Sequence, residues 1–387
     1  MSNLKLGIVM SVIRKSFRGK PLLRNEVQEA ILHVWREGLR GGKLSRTNML
    51  FSFARDPAVF LAVPFLVAAI AHKLDEEVII GLYEGLKAIG FYKEEGLTAD
   101  IPNAVFAVGT GGKEISTINV STASAFVAAS CGGRVVRSGT RRFFGLSGAS
   151  DFLAAHQITP INELDLIKPM IERVGLALVD GDAFSPMMGK SLLPIVRTSS
   201  SLKNLVAAIS HPIRHAVTLL QPDGIGCAFR GISLPITRHV AEALMSYRRI
   251  VRGLVVFSED NQGRVFDELS NFGPTQISEV SANGISTYTL WPQDVGLSLA
   301  KVSDIEVSDP RCGHQLVLDI LKGKRPETDP VVQLLALNSG ALLYSGNSAQ
   351  TIQEGVQRSL TAIGAGAPGL LMDSYRKYYA DVLQRTR

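Results

Sequence analysis

Three glycines in four residues, Gly109-Thr110-Gly111-Gly112, followed by Lys113, Thr117, Asn119, Ser121 and Thr122, form the stretch of this chain best suited to chemistry. Where no Cβ intervenes, main-chain N–H groups can close on a bulky anion. Short hydroxyl and amide side chains gather at the same point. Ser121 or Thr122 is placed to open a helix running through Ala123, Phe126, Val127 and Ala128. A helix N-terminus adds free N–H groups and a partial positive charge. The chemistry these residues suit is the gripping of a phosphate.

The elements that must hold this loop are legible around it. The apolar run Ala104 to Val108 reads as a buried strand, Gly132-Gly133 ends the helix, and a second strand is expected at Arg134–Arg137. Further strands are expected at Leu176–Val179, Ala216–Leu220, Leu254–Phe257 and Thr287–Leu290, with helices at Ile161–Val174 and Val240–Met245. Alternation of this kind implies an α/β architecture around a mostly parallel central sheet. Near the end, Ile352, Val356, Leu360 and Ile363 form a helical stripe that Gly364–Gly369 breaks before a last helix.

The first hundred residues read differently. Asn25 is placed to cap a helix carrying Val27, Ile31, Val34, Trp35 and Leu39, and Arg40-Gly41-Gly42-Lys43 is a break. The apolar run Ala58 to Ala71 reads as a buried helix pair, and Leu66, Ile70, Val78, Leu82 and Leu86 carry the period on to Gly90. We therefore expect a small helical domain over 1–100, rejoined by the Ser-, Leu- and Ala-rich stretch 190–212, and a larger α/β domain over 101–387. A ligand is then expected in the cleft between them.

Composition narrows the function. Lys and Arg number 41 against 35 Asp and Glu, a net charge of +6 that suits an anionic ligand and would also suit nucleic acid. Cys131, Cys227 and Cys312 stand far apart, without metal-ligand or redox spacing, so a reducing cytoplasm is expected. No apolar run reaches the roughly 20 residues that span a bilayer, so no membrane partner is expected. His211, His215 and His239 have no Ser, Cys or second ligand at useful spacing, which argues against a hydrolase triad or a zinc site. Arg137, Arg141 and Arg142 follow the second strand, where at least one can meet phosphate.

Taken in order, GTGG at 109–112, TINVSTASAFVAASCG at 117–132, RVVRSGTRR at 134–142 and SGASDFL at 147–153 closely resemble the phosphoribosyl-diphosphate site of anthranilate phosphoribosyltransferases. Asp267-Glu268 with Gly273-Pro274-Thr275, and Asn338-Ser339-Gly340-Ala341-Leu342-Leu343-Tyr344, look like further landmarks of that family. The resemblance implies a helical domain joined to an α/β domain, a homodimer formed through the helical domain, and Mg²⁺ as cofactor. It assigns Gly109, Thr110, Gly111 and Gly112 to the diphosphate, and Asn119, Ser121 and Thr122 to ribose, diphosphate and, through Ser121, one metal ion. Ser147 matches a 5′-phosphate contact, and Asp267 and Glu268 match the acidic pair holding Mg²⁺. Lys113, Thr117, Arg137, Gly139, Thr140 and Arg197 complete the expected substrate-binding set.

The departures fall mainly on one side. Lys113-Glu114 stand where the family has an acidic residue and a glycine. Arg137-Ser138-Gly139-Thr140-Arg141 replaces a lysine-histidine-glycine-asparagine-arginine motif, keeping the basic residue and losing the histidine and asparagine that face the acceptor. The family arginine that grips the anthranilate carboxylate falls near Ser191. The resemblance thus implies transfer of phosphoribosyl to an aromatic or heterocyclic amine that need not be anthranilate. Two rivals share the architecture: a pyrimidine-type nucleoside phosphorylase, against which Asp267-Glu268 argues, and a non-catalytic nucleic-acid-binding relative, for which the glycine loop has no use.

Overall fold

The structure is a computed structural model that describes residues 7–38, 65–92, 98–139, 148–185 and 214–385. The expected break at 40–43, the first part of the Ala58 to Ala71 run and the stretch 190–212 lie outside the described residues. So do Arg141 and Arg142.

The strands are β1 (Thr98–Gly109), β2 (Val135–Gly139), β3 (Leu176–Asp180), β4 (Asp223–Gly231), β5 (Arg252–Glu259), β6 (Val265–Phe266), β7 (Thr275–Ser281) and β8 (Gly284–Leu290). Their order in one sheet is β3-β2-β1-β4-β5-β7-β8, with β6 also on β5. The first five strands of that order are parallel, β6 and β7 each pair antiparallel with β5, and β8 pairs antiparallel with β7. β1 is central: Ala104 to Val108 are buried, and Gly109 pairs with Gly231 where β1 and β4 end together. Loops at the carboxyl ends of parallel strands are where α/β proteins place ligands.

The described helices include α1 (Gly7–Phe17), α2 (Arg24–Gly38), α3 (Glu76–Ala88), α4 (Val120–Ser130), α5 (Ala149–Ala155), α6 (Ile167–Val174), α7 (Thr237–Tyr247), α8 (Pro310–Leu321), α9 (Pro330–Ser345), α10 (Ile352–Gly364) and α11 (Ala367–Arg385). Two compact units divide them. The first is drawn from Met1–Lys93, Phe184–Leu220 and Glu242–Arg248, and the second takes the rest. Within the first, Asp75 caps α3 by accepting from the Val78 amide at 3.0 Å, and Arg24 of α2 pairs with Glu84 of α3. Within the second, α4 and α9 are buried almost all round, as helices at the centre of a large core must be. Ser339 Oγ of α9 donates to the Ser124 carbonyl of α4 at 3.2 Å, so even the polar atoms of that contact are satisfied.

Several expectations need correction. Ala216–Leu220 is not a strand: 214–216 are helical and Val217–Leu219 form a 3₁₀ turn, closed by the Thr218 hydroxyl on the His215 carbonyl at 2.6 Å. The strand itself is β4, which begins after Pro222. Asn25 lies inside α2, whose start is held instead by the Glu26 carboxylate accepting from the Leu23 amide. The expected helix Ile161–Val174 is shorter, because Ile161 bridges to Val179 and α6 begins only at Ile167. The break near the end is confined to 365–366. α4 opens at Val120 with Asn119 at its N-cap, so Ser121 and Thr122 lie in its first turn.

Candidate active site

The loop after β1 takes its shape from glycine. Gly111 and Gly112 have φ of +66° and +94°, a region L side chains rarely occupy. Its ends are tied down. The Thr110 amide donates to the Gly231 carbonyl at 2.9 Å, and Thr110 Oγ1 donates to Ser233 Oγ at 3.1 Å. The Glu114 amide donates to the Val265 carbonyl at 2.8 Å, and its carboxylate accepts from the Val265 amide at 2.9 Å. Between these ties the amides of Gly111, Gly112 and Lys113 donate to no described residue.

Glu114 thus clasps the loop to β6, and β6 leads directly into Asp267-Glu268. A Cβ built on Gly109 would stand 3.3 Å from Asp267 Oδ2, and one on Gly231 would collide with the Asp267 carbonyl. Glycine loop and acidic pair therefore share one location, though they are far apart in sequence. Two sequence landmarks fix the pair from behind. Asn338 of α9 exchanges hydrogen bonds with the Leu269 backbone at 2.9 and 3.0 Å. Thr275 Oγ1 accepts from the Ser270 amide at 3.0 Å, and Ser258 Oγ lies within hydrogen-bond reach of both Thr275 Oγ1 and the Glu268 carbonyl.

Cations close the site. Lys113 Nζ donates to Thr117 Oγ1 at 2.8 Å and to the Ile118 carbonyl at 3.2 Å, and stands 4.0 Å from Glu268 Oε1. Arg137, on β2, donates to Ser121 Oγ at 2.8 Å and reaches the Ala107 carbonyl of β1. Burial pulls the Arg137 guanidinium down from its ordinary range, while Glu268 and Asp267 act to keep it charged. Burial pushes the Glu268 carboxyl up to about 7, opposed by Lys113, aided by Asp267, and opposed again by Arg137 and the Ser121 amide.

Polar atoms are left over here. Glu268 Oε2, Arg137 Nε and Thr122 Oγ1 are buried without a hydrogen-bond partner among the described residues. Such atoms are rare in a folded protein, and three of them around one glycine loop point to a ligand. Gly109, Thr110, Gly111, Gly112, Lys113, Thr117, Asn119, Ser121, Thr122, Arg137, Asp267 and Glu268 thus lie on one connected set of elements at the carboxyl end of β1. Gly139 ends β2, and Thr140, Ser147 and Arg197 lie outside the described residues. Gly231 and Ser233 belong to the set although the sequence does not single them out. The only available signal is a glycine closing the run Cys227 to Arg230.

No group of three or more His, Cys, Asp or Glu among the described residues is arranged to hold a metal alone. An acidic pair nevertheless fits Mg²⁺, which is commonly held by one or two carboxylates together with substrate phosphates. The unpartnered Glu268 Oε2 and the neighbouring Ser121 hydroxyl supply the hard oxygens such an ion prefers. No described helix is long and apolar enough to cross a membrane.

Comparison with known proteins places these features. Residues 102–368 match the model of the glycosyl transferase family, a/b domain. Anthranilate phosphoribosyltransferase of Methanopyrus kandleri is 28% identical over 360 residues, covering 92% of this chain and 96% of that protein. That of Polynucleobacter necessarius is 30% identical over 284 residues, covering 71% and 76%. In fold, the chain is similar to anthranilate phosphoribosyltransferase from Saccharomyces cerevisiae in complex with PRPP and Mg, with a TM-score of 0.74 at 19% identity over 96% of this chain and 98% of that one. The enzyme from Thermus thermophilus gives 0.71 at 22% identity over 95% and 98%. With a family match over residues 102–368 and a 30% identical relative covered over 76% of its length, this protein belongs to the anthranilate phosphoribosyltransferase family of glycosyl transferases.

Proposed function

We propose that this protein is a Mg²⁺-dependent phosphoribosyltransferase, moving phosphoribosyl from phosphoribosyl diphosphate to an aromatic or heterocyclic amine and releasing diphosphate. The observation that carries this reading is the meeting of Gly109 with Asp267 Oδ2 beside an unsatisfied Glu268 Oε2. The amides of Gly111, Gly112 and Lys113 and the α4 N-terminus receive the diphosphate, and Arg137 and Lys113 balance its charge. Asn119, Ser121 and Thr122 orient the ribose end. Asp267, Glu268 and Ser121 would hold Mg²⁺, which when bound neutralises charge developing on the departing diphosphate.

In the reaction the bond from the anomeric carbon to diphosphate breaks, a bond to the acceptor nitrogen forms, and that nitrogen loses a proton. Preorganised N–H donors favour the charge of the leaving group without reorganising, and fixing the donor supplies much of the remaining rate. The replaced histidine and asparagine at Ser138 and Thr140 support an acceptor other than anthranilate. Thr140, Ser147 and Arg197 contribute to the same substrate site, and Met10, Phe17, Leu23 and Phe65, exposed apolar side chains of the helical unit, support a homodimer formed there. The test is incubation with phosphoribosyl diphosphate, Mg²⁺ and a panel of aromatic amines, following diphosphate release. Turnover with one amine supports the reading, and no donor binding at millimolar concentration contradicts it.

A further inference from the structure

The residue that follows the glycines, Lys113, is a cation set beside an acidic pair. Its ammonium has three donors: Thr117 Oγ1 and the Ile118 carbonyl take two, and the third faces Glu268 Oε1 at 4.0 Å. With Arg137 on the other side, two cations face Asp267 and Glu268, so the site offers little net negative charge to draw in a divalent ion. The two cations differ in freedom. Arg137 is fixed against β1 by Ser121 Oγ and the Ala107 carbonyl. Lys113 also makes two hydrogen bonds, but both come from one flexible, part-exposed ammonium next to the free amides of the loop, so it can exchange them for an anion arriving there.

We propose that Lys113 is a built-in counter-ion of Glu268, so that a divalent cation enters the acidic pair readily only after the anionic donor has drawn the lysine away. This rests on the donor-and-metal reading above and adds to it an order: donor and metal favour each other's binding, reciprocally, through one side chain.

The test measures Mn²⁺ binding by electron paramagnetic resonance, with and without phosphoribosyl diphosphate, in the wild type, Lys113→Met and Lys113→Arg. Thermal melts check that each variant is folded, with Lys113→Gln in reserve should Lys113→Met fail. Removing the charge should tighten donor-free Mn²⁺ binding by about tenfold or more and shrink the gain on adding donor, because a like charge has left the metal's surroundings. Lys113→Arg should keep the wild-type pattern. Donor-free Mn²⁺ affinity unchanged in the charge-removing variant overturns the proposal while leaving the transferase reading in place. A wild type whose Mn²⁺ affinity does not rise with donor also overturns the proposal, whereas a wild type that binds no donor at all contradicts the transferase reading.

Discussion

Two largely buried carboxylates of the same unit are treated in opposite ways. Glu279, on β7, accepts from Tyr288 at 3.1 Å with one oxygen and from Tyr344 at 2.7 Å with the other, and Arg252 stands 3.9 Å away. Burial, then Glu279 itself, pushes the Tyr344 hydroxyl up to about 12, so it stays a donor. Glu268 has less company: Lys113 stands 4.0 Å away and the Ser121 amide opposes its protonation. Among the described residues no hydroxyl donates to either oxygen, Oε2 has no hydrogen-bond partner, and burial favours the protonated form. The arginines repeat the contrast. Arg230 is fully buried yet reaches the Phe106 and Phe229 carbonyls and Gln221 Oε1, whereas Arg137 keeps a bare Nε. A satisfied buried charge holds a fold together; an unsatisfied one at a glycine loop is waiting for a ligand.

The sharpest way to break that contrast is Glu268→Gln, which should lower kcat/KM by about 10²- to 10³-fold, as loss of one transition-state stabiliser does elsewhere. The same variant should be more stable than the wild type in metal-free buffer at pH 8. With its carboxyl raised by burial, folded Glu268 keeps a proton that the unfolded chain releases between the ordinary carboxyl range and about pH 7. Wild-type stability therefore falls as pH rises through that window, and the neutral variant is spared a loss on the order of 3 kcal/mol. Urea unfolding at pH 5 and pH 8 checks it: the gap between the two proteins should be open at pH 8 and nearly closed at pH 5.

The arginine pair gives the next effect. Arg230→Met should destabilise by about 3 kcal/mol, since it strands Gln221 and two carbonyls in the core. Arg137→Met, which gives up fewer partners and relieves a desolvated guanidinium, should destabilise less than Arg230→Met and weaken donor binding as well. Calorimetric titration with phosphoribosyl diphosphate and a thermal melt on each variant separate the two. The smallest effect belongs to Glu279→Gln, which should cost about 1 kcal/mol and leave donor affinity unchanged. A loss of donor affinity there would erase the distinction between the two carboxylates.

The same contrast explains what is legible in the sequence. β1, the glycine loop, α4 and β2 are readable because each uses the residue type its conformation demands: apolar for the buried strand, glycine where φ is positive, small residues for a helix packed on all sides. The acidic pair is readable only through its spacing to Gly273-Pro274-Thr275. β4 and β7 escape because buried positions in them carry polar side chains. Arg230 looks like a surface cation until Gln221 and the Phe106 carbonyl are beside it. Ser278 looks solvated until it meets Thr237 and Thr287 at 2.9 Å. Their partners come from other elements, so no local pattern announces them. Gly231 escapes for the same reason, since what excludes a side chain there is the Asp267 carbonyl.

The central claim is that loop and acidic pair together form one metal-assisted diphosphate site. Crystals soaked with phosphoribosyl diphosphate and Mn²⁺, with anomalous scattering recorded, address it directly. The account predicts diphosphate against the amides of 111–113 and an anomalous peak within coordination distance of Glu268 Oε2. Diphosphate bound away from that loop, or a metal peak remote from Asp267 and Glu268, would contradict it.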